Sequence, residues 1–172
     1  MNKAKYLSRL LENAKKSKFS LWKLNFLLDF VIPFNSRHGI IVAEVGEDFI
    51  RTKIPFEERN MNHIHGIHAC AIATISEFAT GLLMMTKLDP SKYRIIMKEL
   101  KMEYHFQAKM ALIAEARMDS ESLKREILMP LQSVEKITRT VVAEVHDTKM
   151  NHVATGTIAW QIKRWESVKT AS

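Results

Sequence analysis

Only one cysteine, Cys70, is present. That excludes an internal disulfide framework and fits a reducing compartment, the cytoplasm. Four prolines and five glycines are spread thinly, with no linker-like stretch, so 172 residues suffice for a domain with a real core. The longest apolar runs fall short of the roughly 18 residues a membrane span takes, so no integral membrane association is expected. The lysine-bearing first twenty residues have no continuous apolar stretch and no small-residue cleavage site, which argues against a signal peptide. Acid is in deficit: the net charge is +7. Lys and Arg read as scattered rather than clustered, so nucleic acid is not an expected partner. A small phosphorylated ligand suits the same positive field.

What is present centres on residues 62–77. A polar, His-rich loop turns at Ala69 into an apolar segment running to about Met85. The segment is rich in small residues (Cys70, Ala71, Ala73, Thr74, Ala79, Gly81) and is apolar nearly all round, the mark of a buried helix. Glu77 interrupts it, and a buried acid is costly unless paired or useful.

Around this stretch the chain reads in order. Residues 3–17 form a basic amphipathic helix through Tyr6, Leu7, Leu10, Leu11 and Ala14. A second helix covers 20–30, with Ser20 as N-cap and Pro33 closing it. It is apolar over most of its circumference, as suits packing on the domain, a lid, or a membrane-surface helix. Residues 40–45 and 49–54 form a hairpin around Gly46. After the central helix, 99–106 alternates cleanly, with Leu100, Met102, Tyr104 and Phe106 on one face. Residues 110–118 alternate more weakly. A short helix at 123–128 is stopped by Pro130. Residues 136–146 and 152–164 are long paired strands. The leading helices, 1–35, form an extension packed on a domain spanning 36–166.

Hairpin, small-residue helix, then long antiparallel strands resembles the α+β hotdog fold, a curved sheet wrapped around one central helix. The chain further resembles the hotdog acyl-CoA thioesterases of phenylacetate and hydroxybenzoate pathways. They carry Asn or Gln, then His-Gly-Gly six residues on, then Asp or Glu nine residues later. Here Asn62, His68-Ala69-Cys70 and Glu77 match that spacing. It is similar above all to a branch with two leading helices. Ala69 and Cys70 replace the glycine pair, and Gly81 stands where one group places Thr, with Thr80 one residue off.

The resemblance implies hydrolysis of an acyl-CoA or acyl-carrier thioester without a cofactor. Glu77 would be base or nucleophile, the Ala69 and Cys70 amides would polarise the carbonyl, and Asn62 and His68 would shape the loop. Helix N-termini present free N–H groups that favour negative charge. It also implies a homodimer, or a dimer of dimers, with the site completed across the interface. For the acyl chain and CoA phosphates the expected residues are Met84, Met97, Lys98 and Arg139, with Met85, Met102 and Trp160 as further apolar candidates. Cys70 as a nucleophile lacks a base nominated by spacing.

Two other functions compete. A non-catalytic hotdog protein that binds acyl-CoA needs the same fold without turnover. A metal hydrolase is suggested by His63, His65 and His68, spaced His-x-His-x-x-His, but Ile67 stands where that motif carries Asp and the strands do not alternate with helices.

Overall fold

The computed structural model describes residues 3–168, with side chains from Tyr6 onward; the first two residues of the expected extension lie outside it. Helix α1 (Lys3–Ala14) buries Leu10, Leu11 and Ala14. Helix α2 (Lys18–Val31) starts earlier than expected, because Ser17, not Ser20, is its N-cap. Ser17 is extended, and its Oγ accepts the Ser20 N–H at 3.4 Å, so Ser20 is the capped residue. Pro33 ends α2 and, having no N–H to lose, opens a short helix α3 (Pro33–Arg37) at its first position.

Strands β1 (Ile41–Val45) and β2 (Phe49–Ile54) form the expected hairpin, closed by the Gly46 N–H to the Phe49 carbonyl at 2.9 Å. The central helix α4 runs Ala69–Lys87. By length and composition it would cross a membrane, contrary to the expectation from apolar runs, yet 56% of that apolar window is buried inside the fold. Strands β3 (Tyr93–Tyr104), β4 (Leu112–Arg117), β5 (Lys136–Asp147) and β6 (His152–Arg164) complete one antiparallel sheet, ordered β1-β2-β4-β5-β6-β3. This is the hotdog layout, with α4 packed across the sheet's inner face.

Three local expectations change. Strand β3 begins six residues earlier, because a bulge between Met97 and Glu99 breaks the alternation that marks strands. Its expected apolar face holds at Leu100 and Met102, but Tyr104 and Phe106 are exposed. Tyr104 is the last residue of β3 and Phe106 lies past its end, beyond the part of the strand that packs on the core. Pro130 does not stop the helical excursion, which continues from α5 (Ser120–Leu123) through a π-turn (Lys124–Leu128) into α6 (Pro130–Ser133). The Met129 N–H reaches back five residues to the Lys124 carbonyl, and this wider turn makes room for the proline ring.

The helix and sheet approach closely because both are small where they meet. Ala114, Ala116, Ala143, Ala154 and Gly156 lie on the strands, with Ala71, Ser76 and Ala79 on α4. The buried Thr52 hydroxyl donates to the Ile75 carbonyl at 2.8 Å, tying β2 to the helix. A Cβ on Gly156 would stand 2.9 Å from Ser76 Cβ and 3.1 Å from Met102 Sδ. Gly156→Ala should therefore cost about 1–3 kcal/mol of stability. A thermal melt checks this, and Ser76→Gly in the same chain should recover part of the loss. An unchanged melting temperature would mean that the helix is free to move away from the sheet.

Candidate functional site

The loop before α4 is shaped by its own amides. Asn62 Oδ1 accepts the N–H groups of Ile64 and Gly66, both at 3.1 Å, and the Asn62 N–H donates to the Gly66 carbonyl at 2.8 Å. His65 takes a positive φ of 56° inside this turn. Beneath it lies Asn60, a residue that motif spacing did not single out. Its buried amide donates to the carbonyls of His38 and Pro55 at 3.0 and 3.1 Å, and its Oδ1 meets His38 Nδ1 at 2.9 Å. The Asn60 carbonyl in turn accepts the His68 N–H at 2.8 Å, which fixes where α4 begins.

His68 is the N-cap of α4, and its Nδ1 accepts the Cys70 N–H at 3.1 Å. This corrects the expected amide pair: the Cys70 N–H is occupied by the ring. The Ala69 N–H has no acceptor among the described residues. The Tyr104 hydroxyl donates to the Ala69 carbonyl at 3.0 Å, bringing the end of β3 to the helix start. Burial, with a contribution from Cys70, holds the Tyr104 phenol above its ordinary pKa. Among the described residues no three His, Cys, Asp or Glu side chains gather as a metal-ligand set, so His63, His65 and His68 do not converge.

Two of the cavities beside α4 contain residues singled out by sequence. One of ≈ 200 Å³ at the helix start is lined by Phe34, His38, Asn60, His68, Cys70 and Thr74. The other, ≈ 330 Å³, holds Glu77 among apolar side chains from α1, α2, α4, β3 and β6, including Leu28, Val31, Met85, Ile95 and Trp160. Glu77 is partly buried, and its carboxylate has no hydrogen-bond or ion-pair partner among the described residues. Burial raises its pKa above the ordinary carboxylate value, with no neighbouring charge or donor to offset it. Gly81 leaves room for Trp160: a Cβ there would stand 3.1 Å from the indole Cη2 and 3.6 Å from Glu77 Oε1. The indole N–H donates to Thr80 Oγ1 at 3.1 Å, and that hydroxyl donates to the Glu77 carbonyl at 2.9 Å. Asn35, another residue without a sequence signal, is the cavity's other polar side chain and makes no side-chain hydrogen bond among the described residues.

None of the four residues expected to bind substrate lines the Glu77 cavity. Met84 is fully buried in the core, and Met85 lines the cavity instead, because one step along a helix turns the side chain by about 100°. Met97 and Lys98 are exposed at the β3 bulge. Arg139 pairs with Glu126 at 2.5 Å and lines a separate cavity of ≈ 450 Å³ on β4 and β5.

Among solved structures the chain is similar to a Pseudomonas aeruginosa protein of unknown function, named a probable thioesterase. The TM-score is 0.75 at 25% identity, covering 81% of this chain and 93% of that one. A Haemophilus influenzae thioesterase aligns with TM-score 0.68 at 14% identity, over 88% of this chain and 95% of its own. A Chlorobaculum tepidum protein of unknown function aligns with TM-score 0.71 at 12% identity, over 88% and 98%. At such low identity the latter two show the fold alone. No curated protein matches at a significant level. A family model described as a domain of unknown function, DUF4442, matches residues 21–162, and the chain therefore belongs to that family.

Proposed function

We propose that this protein hydrolyses an acyl thioester of CoA or an acyl carrier, in the cytoplasm and without a cofactor. One observation carries the reading: an unpartnered carboxylate, its pKa raised by burial, stands in an apolar cavity on the helix whose N-terminus keeps the Ala69 amide open. An acid in such surroundings suits proton transfer near neutral pH. Water attacks the thioester carbonyl carbon while Glu77 takes its proton. The carbon–sulfur bond then breaks, and the thiolate leaves and is protonated, giving free acid and thiol. In the other route Glu77 attacks directly and water opens the resulting anhydride. Asn62 and His68 hold the loop, and the Asn35 amide faces the same cavity as Glu77.

Ala69 and Glu77 are eight residues apart on one helix, about 12 Å at 1.5 Å per residue. Too far apart to meet on one carbonyl, they suit a homodimer in which the helix start of one subunit faces the carboxylate of the other. The identity of the acyl group rests on assay. A binding module is the second reading, favoured by the His68 ring's hold on the Cys70 amide, which leaves one donor fewer for an oxyanion.

Thiol release from a panel of short, long and aromatic acyl-CoAs should show turnover. Glu77→Ala should lower kcat/KM at least a hundredfold, about 2.7 kcal/mol of transition-state stabilisation. Ligand-induced melting shifts in both proteins without turnover in either would instead establish the binding module. A monomer by sedimentation at micromolar concentration would defeat the shared site.

Glu77 also sets a pH dependence. The native state holds this proton to higher pH than the unfolded chain, so its contribution to stability is present at low pH and lost as pH rises through the folded pKa. Glu77→Gln should therefore raise the melting temperature at pH 8, with the gain shrinking as pH falls into the acid range. In the wild type, kcat/KM should climb with pH through a midpoint above the ordinary carboxylate pKa.

A further inference from the structure

The inner face of α2 is buried at Leu24 and Leu28, but the outer face is also apolar and is uncovered. Phe19, Trp22, Phe26 and Phe30 are 62%, 59%, 55% and 71% exposed. They fall three or four residues apart, so they share one side of the helix. Their rings form a continuous ladder, with centroids 5.9, 5.7 and 5.1 Å apart in turn. Single exposed apolar residues are ordinary; an aromatic row of this length marks an interaction surface. The row ends near the site: Val31 lines the Glu77 cavity and Phe34 the cavity at the start of α4, and both are exposed.

Charge identifies what covers it. Residues 1–38 contain eight Lys and Arg against two acids, Glu12 and Asp29, and so hold +6 of the +7 net charge. Basic residues occur along the whole chain, but the acids that balance them are few here, so the net charge is concentrated in this stretch. Lys16, Lys18, Lys23 and Arg37 are exposed on the leading helices, and none forms an ion pair among the described residues. Lys23 lies over the Phe19 ring at 4.4 Å. Asp29 is the one acid on α2. A second copy would bring the same basic face against this one, because a two-fold contact pairs like patches. Aromatic side chains flanked by lysines on a helix lying along the surface fit a bilayer with anionic headgroups, the rings entering the acyl boundary and the ammonium groups meeting phosphates.

We infer that the α2 aromatic face is a docking surface for an anionic lipid bilayer, holding the protein peripherally. The reading stands on the surface alone and does not require the thioesterase activity. Its test is flotation of the full-length protein with vesicles of phosphatidylcholine alone or mixed with phosphatidylglycerol. Wild type should float with the mixed vesicles, less so in high salt, and weakly with phosphatidylcholine. Trp22→Glu with Phe26→Glu should abolish flotation. Neutralising Lys16, Lys18 and Lys23 to Gln should weaken it about a hundredfold, given roughly 1 kcal/mol per basic residue near such a surface. In a Trp165→Phe background, Trp22 fluorescence should shift to the blue on vesicle addition. These substitutions fall on exposed positions, and circular dichroism confirms that each variant folds. Failure of wild type to float, or flotation untouched by the Trp22 and Phe26 changes, overturns the proposal. So does a larger assembly that those changes dissolve without any flotation, which would make the stripe a protein contact. Flotation reads no turnover, so loss of the thioesterase reading would leave this result intact.

Discussion

The structure depends on how close α4 lies to the sheet. Gly156 and Ser76 face each other with no room for one more carbon, and the Thr52 hydroxyl uses the Ile75 carbonyl as its acceptor. A helix held this tightly has little rotational freedom, so the face it turns away from the sheet is fixed as well. Glu77 stands on the flank of that helix, between the leading helices and the β3 and β6 side of the sheet. Gly81, one turn further on, admits the Trp160 indole from β6, and the indole N–H is satisfied by Thr80 on the same helix. The indole N–H and the Thr80 hydroxyl beside the carboxylate are thus satisfied without it. An acid left unpaired in an apolar pocket costs stability, and a purely structural position would not retain that cost without compensation.

The start of α4 shows a competition for amides. Every helix leaves its first N–H groups without partners, and a cap side chain or a ligand can take them. In this chain the cap is the His68 imidazole. An Nδ1 that accepts carries no proton, so the neutral ring keeps its proton on Nε2. Turning the imidazole away would release the Cys70 N–H beside that of Ala69. The site thus has one open donor and a second held by a side chain able to rotate. Asn60 supports the arrangement by fastening the α3 end and the β2 end with its side-chain amide and the helix entry with its backbone carbonyl.

Much of the fold was legible where the pattern is local. The small-residue segment from Ala69 and the hairpin around Gly46 follow from side-chain size and turn chemistry, and β6 falls where expected. Errors arose where a distant partner decides. Tyr104 and Phe106 alternate as a buried face would, but β3 ends at Tyr104 and the core does not extend to its end. Pro130 is a breaker only until a π-turn makes room for it. Met84 and Met85 are indistinguishable in sequence, and the helix's rotation against the sheet chooses between them. Asn35, Asn60 and Tyr104 reach the site from separate elements, and no spacing rule joins residues so far apart. Arg139 looked free for phosphate until the helical excursion supplied Glu126.

Two apolar surfaces remain uncovered, and their charges sort them. Along β3, Ile96, Met97 and Tyr104 are exposed among Lys98, Glu99, Lys101 and Glu103, and Lys101 pairs with Glu103 at 2.7 Å. Mixed signs on a free strand edge suit a second copy running antiparallel, where acid meets base on both sides and the open backbone groups are paired. The α2 stripe carries mostly one sign, so its own copy is a poor match and an anionic layer a good one. The two surfaces therefore differ in charge character and lie on different elements. The Glu77 cavity is walled by α1 and α2 together with β3 and β6, so it borders both. The carboxylate thus stands between an exposed strand edge and an exposed aromatic helix.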